Sequence, residues 1–230
     1  MKVTLLLPTI NEVEGMKAVL PRIERKWVDE IVVVDGGSTD GTCEYAKEEG
    51  CIVVMQKQPF LYGAYQDALE AATGDIIITF SPDGNSIPEL IPLLIEKMRE
   101  GYDMVIVSRY AKGVHSEDDD WLTGFGNWLF TRIINFCFGG KYTDSLVMFR
   151  AWKRSVIKLC RWNAGIGGID PQLSIVCAKN RVKVGEIPGA EPKRIAGTRK
   201  MHPIKNGLGL IKLIVQEFFG YLPCKNEFTG

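Results

Sequence analysis

The chain has 230 residues, enough for one large domain, and its apolar fraction of 46% and charged fraction of 24% are ordinary for a globular protein. Its 28 basic and 28 acidic residues give a formal net charge of zero, so the charge does not point to nucleic acid as a partner. The six cysteines include no CxxC pair, which argues against a zinc site and against a disulfide framework.

The first half of the chain alternates short apolar runs with helical patterns. We predict strands at 2–7, 31–34, 51–55, 76–80 and 104–108 and helices at 14–25, 39–49, 62–73 and 86–99. Thr39 or Asp40, and Ser86, are the expected N-caps, and Gly74 is the expected C-cap of the third helix. Apolar strands that alternate with helices predict an α/β fold, with a Rossmann-like, mostly parallel sheet covered by helices on both faces.

The second half is less regular. We expect helices at 122–138, 152–160 and 171–179, a strand pair or turn around 143–150, a Gly-rich loop at 165–168, a last strand at 181–187 and a basic loop at 193–202. The segment 121–138 fits either a core helix or a helix at a membrane interface near an acceptor lipid. The segment 207–223 fits a helix at a membrane interface or one that docks on the sheet or on a second subunit, and we favour docking. The N-terminal apolar run is too short for the core of a signal peptide, and no run approaches a membrane span.

Polar residues follow the predicted strands. After the fourth strand comes Ser81-Pro82-Asp83-Gly84-Asn85, at the sheet edge where open α/β folds bind ligands. The Asp83 carboxylate, with Asn85 nearby, predicts a divalent metal held on a phosphate, and the alternative is a plain Asp-Gly turn. After the second strand, Asp35 is expected to accept hydrogen bonds from a base or ribose. Ser38 and Asp40 are expected to be helix-start residues.

Further candidates lie in the second half. Asp170 could remove a proton from an acceptor hydroxyl or position an acceptor phosphate, and Asp170-Pro171 also fits a plain helix start. The basic loop that contains Arg194 is expected to close on phosphates, with a solvated surface run as the alternative. His202 is a weaker candidate metal ligand, and we expect the acidic run 117–120 to be an exposed loop.

Four segments resemble a known family. PTINE, VVDGGSTDGT, GAYQDALEAATGD and SPDGNSIPEL, in this order and spacing, resemble the family 2 inverting glycosyltransferases, within the branch of the dolichol- or polyprenyl-phosphate mannose and glucose synthases. Later segments extend the resemblance to about residue 205. They are SRY with Gly113, Asp144 with FRAW, GIDPQL, and RIAGTRK.

The resemblance implies a GT-A fold, a nucleotide-sugar donor and a Mg or Mn ion. It further implies one domain at 1–205, with a donor half at 1–110, an acceptor half at 111–205 and a C-terminal amphipathic helix or tail at 206–230. Asp83 and Asp170 would be catalytic. The residues that would contact the nucleotide sugar are Pro8, Thr9, Glu12, Asp35, Ser81, Asp83 and Arg109, and those that would contact phosphate or the acceptor are Arg194, Arg199 and Lys200.

Three positions depart from the family pattern. Ser81 stands where the first Asp of D-x-D is usual, Gly36 stands for the second Asp of D-D-G-S, and Gln66-Asp67 replaces a Gly/Arg-rich segment. These departures put metal affinity and activity in question. Ser81 and Gly36 support the alternative of a catalytically degenerate domain that binds nucleotide or scaffolds a partner.

The expected reaction moves a hexose from a GDP-mannose or UDP-glucose type of donor to a polyprenyl phosphate or a glycan-precursor hydroxyl, with inversion. A sugar-phosphate nucleotidyltransferase is the other enzymatic alternative, but it requires a Gly-rich basic loop after strand one, which PTINE lacks. We expect a cytoplasmic protein, with peripheral contact to the cytoplasmic membrane face and a homodimer as further hypotheses.

Overall fold

The computed structural model describes residues 1–160, 168–195 and 202–220. They form a seven-stranded sheet with helices packed against it. The strands are β1 (Val3–Thr9), β2 (Glu30–Asp35), β3 (Ile52–Met55), β4 (Ile76–Thr79), β5 (Met104–Ser108), β6 (Arg150–Lys153) and β7 (Val184–Pro188). The α-helices are α1 (Val13–Val19), α2 (Thr42–Glu48), α3 (Phe60–Ala71), α4 (Ile91–Arg99), α5 (Trp121–Phe138), α6 (Ile169–Lys179) and α7 (Pro203–Phe219).

The strand order is β3-β2-β1-β4-β6-β5-β7, and every neighbouring pair is parallel except those made by β6. In the register, Leu5 of β1 lies between Ile31 of β2 and Ile78 of β4. Successive side chains of a strand point to opposite faces, and all four residues of β4 are buried, so both faces of the sheet are covered. The predicted α/β fold with a mostly parallel sheet is confirmed.

The predicted helix at 152–160 is wrong. Residues 150–153 form β6, which runs antiparallel between β4 and β5, and a 3-10 turn follows at Val156–Leu159. Trp152 is fully buried there and stacks on Tyr65 with ring centroids 6.5 Å apart. The segment is extended because it lies between β4 and β5 and pairs with both. Tertiary pairing therefore overrides the helical pattern of the local sequence.

Several predicted helix ends are also wrong. The helix after β4 begins as a 3-10 turn at Pro88–Leu90 with Ile87 at its N-cap, and the Ser86 hydroxyl instead donates to Asn85 Oδ1. Helix α3 ends at Ala71, before Gly74. Gly74 has another reason to lack a side chain, because a Cβ there would lie 2.4 Å from Thr4 Oγ1.

Two further helices differ from their predicted bounds. Helix α1 ends at Val19, and 3-10 turns at Leu20–Arg22 and Arg25–Trp27 complete the predicted span. Helix α2 begins at Thr42 with Gly41 at its N-cap, later than the Thr39 or Asp40 start that we predicted. The Asp40 carboxylate nevertheless accepts the Thr42 backbone N–H at 3.0 Å, so it does serve the start of this helix.

The last helix packs on other helices rather than on the sheet. Helix α7 buries Leu210, Leu213 and Ile214 and packs against α5 and α6, so it is docked as we favoured, but on helices, whereas we expected the sheet or a second subunit. Helix α5 begins where Asp120 accepts the Thr123 N–H at 2.7 Å. Within the described ranges, no helix combines the length and apolar character that crossing a membrane requires. The division of the chain at residues 110 and 205 stays a prediction.

Candidate active site

The polar residues gather at one edge of the sheet. Strands β1, β2, β4, β5 and β7 are mutually parallel, so their carboxyl ends share that edge, and the antiparallel β6 begins there with Arg150. The residues placed at these strand ends or just after them are Thr9, Asp35, Asp83, Arg109, Glu191 and Arg194. Most of the side chains that we predicted to form the site therefore lie at this edge of the sheet.

The Asp83 loop combines a turn with a charged contact. Asp83 Oδ1 accepts the Asn85 N–H at 3.2 Å, so the turn is present. Asp83 is only 6% exposed, and its Oδ2 lies 3.5 Å from Arg194 Nη2. The loop thus presents a carboxylate already balanced by a cationic side chain.

The segment 193–195 lies directly over this loop. The Ile195 N–H donates to the Asp83 carbonyl at 2.8 Å, and Arg194 also pairs with Asp118 at 3.0 Å. Gly84 has φ +90°, and a Cβ there would meet the Ile195 side chain at 2.5 Å. The basic loop is therefore anchored at its start on the Asp83 loop, whereas the predicted phosphate ligands Arg199 and Lys200 lie outside the described residues.

Asp35 shapes its own loop. Its fully buried carboxylate accepts hydrogen bonds from the Gly37 N–H at 2.9 Å, the Ser38 N–H at 2.7 Å, the Ser38 hydroxyl and the Thr9 hydroxyl at 3.1 Å. Burial opposes ionisation, but these donors outweigh it and lower the pKa of Asp35. The carboxylate orders the loop after β2, and its predicted contact with the nucleoside stays a prediction.

The other residues predicted to bind the nucleoside lie beside this loop. Pro8 and Thr9 are the last two residues of β1 and pair with Val34 and Asp35 of β2. Glu12 is 8% exposed and stands at the N-cap of α1, and its backbone N–H donates to Thr42 Oγ1 at 3.0 Å. These groups line one side of the candidate site at this edge of the sheet.

Arg109 is held in a buried ion cluster. Its Nε lies 2.7 Å from Asp144 Oδ2 and its Nη2 lies 3.1 Å from Asp144 Oδ1, a bidentate pair. Its Nη1 is 3.3 Å from Glu191 and 3.8 Å from Asp119. Burial would raise the pKa of Asp144, but Arg109 outweighs burial and lowers it. The guanidinium thus orders the acidic side chains around the site, and its predicted donor contact stays a prediction.

Sequence reasoning missed three acidic residues of this cluster. We expected 117–120 to be an exposed loop, but the Asp118 and Asp119 side chains are 11% and 4% exposed and pair with Arg194 and Arg109. Glu191 accepts from the Asn85 amide at 3.3 Å, and burial raises its pKa. Glu191 follows β7, and the pairing of β7 with β5 would have indicated the same edge. His115 is exposed, as expected.

Asp170 lies beside two groups that the sequence did not indicate. Its Oδ1 accepts the Tyr65 hydroxyl at 3.0 Å and lies 3.9 Å from Nε of the fully buried Arg150. Burial raises the pKa of Asp170 to about 6, although Arg150 and Tyr65 oppose that rise. The N-cap of α6 is Gly168, so the predicted N-cap position of Asp170 is wrong, although Asp170 does lie in the first turn of this helix. This carboxyl group changes charge near neutral pH, as an acid or base at an active site often does.

The predicted metal ligands supply few oxygen atoms. Asp83 provides one carboxylate, Asn85 is half-buried beside it, and Ser81 is half-buried at the position of the missing carboxylate. His202 is the exposed N-cap residue of α7. Over the ranges that the structure describes, no group of three or more His, Cys, Asp or Glu could hold an ion. Mg²⁺ is commonly bound by one or two carboxylates plus substrate phosphates, so this donor set fits an ion bound jointly with a diphosphate.

The fold matches solved glycosyltransferase structures. Glucosyl-3-phosphoglycerate synthase from Mycobacterium tuberculosis, solved with Mn²⁺ and UDP-glucose, superposes with a TM-score of 0.73 at 21% identity, over 97% of this chain and 80% of that one. At this identity the likeness establishes the shared fold, and it confirms the predicted GT-A architecture.

Curated relatives match over most of the chain. A dolichyl-phosphate hexose transferase of Haloferax volcanii is 30% identical over 92% of this chain and 91% of its own length. A dolichol-phosphate mannosyltransferase of Pyrococcus furiosus is 35% identical over 57% of this chain and 37% of its own length. The model of the glycosyl transferase family 2 matches residues 4–160. The resemblance read from the motifs is confirmed, and the chain belongs to glycosyl transferase family 2.

Proposed function

We propose that this enzyme transfers a hexose from a nucleotide-diphosphate sugar to a polyprenyl phosphate, with inversion at the anomeric carbon. The observation that carries the proposal is the placement of two acidic centres at one sheet edge, where Asp83 pairs with a cation and Asp170 is buried with a pKa of about 6. The names of the Haloferax and Pyrococcus relatives support the acceptor class.

The donor binds, in this proposal, across the ends of β1, β2 and β4. Thr9 and Asp35 shape the nucleoside wall, and Asp83 and Arg194 face the diphosphate. The leaving group is a nucleoside diphosphate, and its negative charge grows as the glycosidic bond breaks. A guanidinium placed at the developing charge stabilises the transition state, which is the role that we assign to Arg194.

A divalent cation fits this arrangement at Asp83. One carboxylate beside Asn85, completed by the donor's phosphate oxygens, meets the ligand preference of Mg²⁺ or Mn²⁺. When bound, such an ion would neutralise charge on the diphosphate. The Asp83–Arg194 contact keeps the carboxylate in place and supplies positive charge from the chain itself. With Ser81 in place of a second carboxylate, the protein supplies fewer oxygen ligands to the ion, but Asp83 still provides one.

Asp170 is the acceptor-side group. Its carboxylate is ionised above a pH of about 6, so at neutral pH it accepts a proton from an acceptor hydroxyl or from a phosphate that still carries one. Tyr65 and Arg150 hold it from two sides. A glycan-precursor hydroxyl needs this base throughout, whereas a doubly ionised phosphate does not. The dependence of the rate on Asp170 therefore discriminates between the two acceptors.

A transfer assay tests the proposal. Purified protein is incubated with GDP-mannose or UDP-glucose, a short-chain polyprenyl phosphate in detergent, and Mg²⁺ or Mn²⁺. The lipid product is measured by mass spectrometry, and its anomeric configuration is measured by NMR. We expect one donor to give a polyprenyl-phosphate hexose of inverted configuration, and Asp83→Ala to abolish it.

The matched control is Asp103→Ala, because Asp103 lies before β5, at the opposite edge of the sheet. Transfer to a soluble glycan but not to the lipid would mean that the acceptor is a glycan-precursor hydroxyl and not a polyprenyl phosphate. Nucleotide binding without transfer to any acceptor would favour the degenerate domain. Family membership already favours a glycosyltransferase over a nucleotidyltransferase.

A further inference from the structure

Helix α5 carries an unpartnered aromatic face. Trp121, Phe125, Trp128 and Phe136 are 82%, 47%, 54% and 91% exposed. Trp121 stacks on Phe125 and Phe125 stacks on Trp128, each with ring centroids 5.9 Å apart. Their spacings of four, three and eight residues place them on one side of the helix. A run of ordered, exposed aromatic rings is a costly surface in water, so it indicates a binding face.

Helix α7 has an exposed apolar face of its own. Ile204, Leu208, Ile211 and Val215 are 77%, 64%, 49% and 48% exposed and recur every three or four residues. The opposite side of α7 is the buried one and packs against α5 and α6. At the C-terminal ends of the two helices, the rings of Phe138 and Phe218 meet at 6.3 Å. We call these exposed side chains of α5 and α7 the α5–α7 face.

The exposed charged residues of the two helices are all basic. Helix α5 contains one charged residue, the exposed Arg132, and α7 exposes Lys205 and Lys212. The one acidic residue of the two helices, Glu217, is 4% exposed and pairs with Lys179 at 2.8 Å. The chain as a whole carries no net charge, so the excess of exposed basic residues on these two helices is a local feature.

The acidic run 117–120 lies before α5, and three of its four carboxylates are engaged within the protein. Asp118 pairs with Arg194, Asp119 accepts the Asn127 amide, and Asp120 caps α5, so these three carboxylates are held by other groups. Glu117 and Asp120 are the exposed members of the run, and both lie before the first residue of the helix. The acidic groups therefore stay at the N-terminal end of α5.

We infer that the α5–α7 face binds the surface of an anionic bilayer, with both helices lying in the plane of the interface. Tryptophan is favoured at the headgroup level, apolar residues enter the acyl boundary, and lysine and arginine are attracted to anionic headgroups. A second protein copy would also cover apolar area, but basic residues around both helices would then face each other. The inference concerns membrane attachment and does not depend on the transfer reaction.

Vesicle flotation tests the inference. The full chain is mixed with vesicles of equal parts phosphatidylcholine and phosphatidylglycerol, or of phosphatidylcholine alone, neither containing a polyprenyl phosphate. We expect the protein to float with the anionic vesicles and to be released by high salt. Lys205→Gln with Lys212→Gln removes two attractions of about 1 kcal/mol each and is expected to weaken binding roughly 25-fold.

A second pair of variants tests the apolar contribution. Phe136→Glu with Leu208→Glu changes one strongly exposed residue on each helix and is expected to reduce vesicle binding at least about tenfold. Leu93→Glu is the matched control, since Leu93 is 46% exposed on α4, which packs against β5 and β6. Unchanged circular dichroism and thermal unfolding verify that each variant is folded.

Three outcomes would overturn the inference. The wild type could remain unbound to both vesicles, the glutamate pair could float like the wild type, or Leu93→Glu could lose binding equally. Sedimentation equilibrium without lipid supplies the remaining comparison. A dimer that the glutamate pair dissociates, together with no vesicle binding, would assign the face to a second copy of the chain.

Discussion

Replacing Tyr65 with Phe isolates the role proposed for Asp170. The substitution removes one hydroxyl, which donates to Asp170 Oδ1 at 3.0 Å, and keeps the ring that stacks on Trp152. A hydrogen bond to a carboxylate favours the ionised form, so its loss raises the pKa of Asp170 further above its ordinary value. If the reaction uses the ionised carboxylate, the acid limb of kcat/KM moves to higher pH.

The size of the effect follows from the wild-type value. Burial already holds the pKa of Asp170 at about 6, so we expect kcat/KM of the wild type to fall about tenfold for each pH unit below that value. Hydrogen bonds to charged groups contribute about 1.5–3 kcal/mol, and 1.36 kcal/mol corresponds to one pH unit, so the limb is expected to move up by about one to two pH units.

The assay is the pH dependence of transfer to a polyprenyl phosphate between about pH 5 and 9. The acceptor phosphate titrates in the same range, but identically for both proteins, so a difference between variants belongs to the enzyme. Tyr142→Phe is the matched control, because Tyr142 is also buried but donates to the Ser174 carbonyl at 2.8 Å. An acid limb that stays in place in Tyr65→Phe, or moves equally in Tyr142→Phe, refutes the role of Asp170 as an ionised group.

Three further predictions concern groups around the Asp83 loop. Asp144→Asn removes the bidentate carboxylate partner of the buried Arg109, which keeps Glu191 and Asp119 nearby, and is expected to lower the free energy of unfolding by about 1–3 kcal/mol, as measured by urea denaturation. Gly84→Ala places a Cβ against Ile195 at φ +90° and is expected to cost about 1–3 kcal/mol and to weaken nucleotide binding. Arg194→Gln is expected to weaken a nucleoside diphosphate roughly tenfold or more, while binding of the nucleoside stays unchanged.

Each of these predictions has a contrary result. An unchanged urea midpoint for Asp144→Asn means that the ion cluster does not stabilise the fold. Wild-type nucleotide affinity in a folded Gly84→Ala protein means that Ile195 does not constrain the loop. Equal weakening of nucleoside and diphosphate by Arg194→Gln means that the guanidinium acts on the fold of the site rather than on phosphate.

The strands and the site edge were predictable because their signals are local. The run Ile76–Thr79 is apolar and β-branched, and the break at Pro82-Asp83-Gly84 follows it directly. Strand β6 was not predictable in this way, because Arg150–Lys153 becomes a strand only through pairing with β4 and β5. The helix ends failed for the same reason. Gly74, for example, serves contact with Thr4 and not a helix cap.

The environment of the site residues was the part that the sequence could not supply. Asp170 was a candidate from its position, but Tyr65, which bonds it, is 105 positions away. The ion cluster of Arg109 with Asp144 and Glu191 likewise joins distant segments. These partners are brought together by the chain topology, which the sequence pattern does not reveal. Composition and spacing therefore identified the candidate groups but not the charged groups that surround them.

Calorimetric titration of nucleotides tests the central claim most directly. UDP, GDP, UDP-glucose and GDP-mannose are each titrated with and without Mn²⁺ into the wild type, into Asp83→Ala and into the control Asp103→Ala. We predict that one base is bound, that Mn²⁺ tightens the binding, and that Asp83→Ala alone loses the metal effect. No binding of any nucleotide by the wild type under any of these conditions would contradict the account of a donor site at the Asp83 loop.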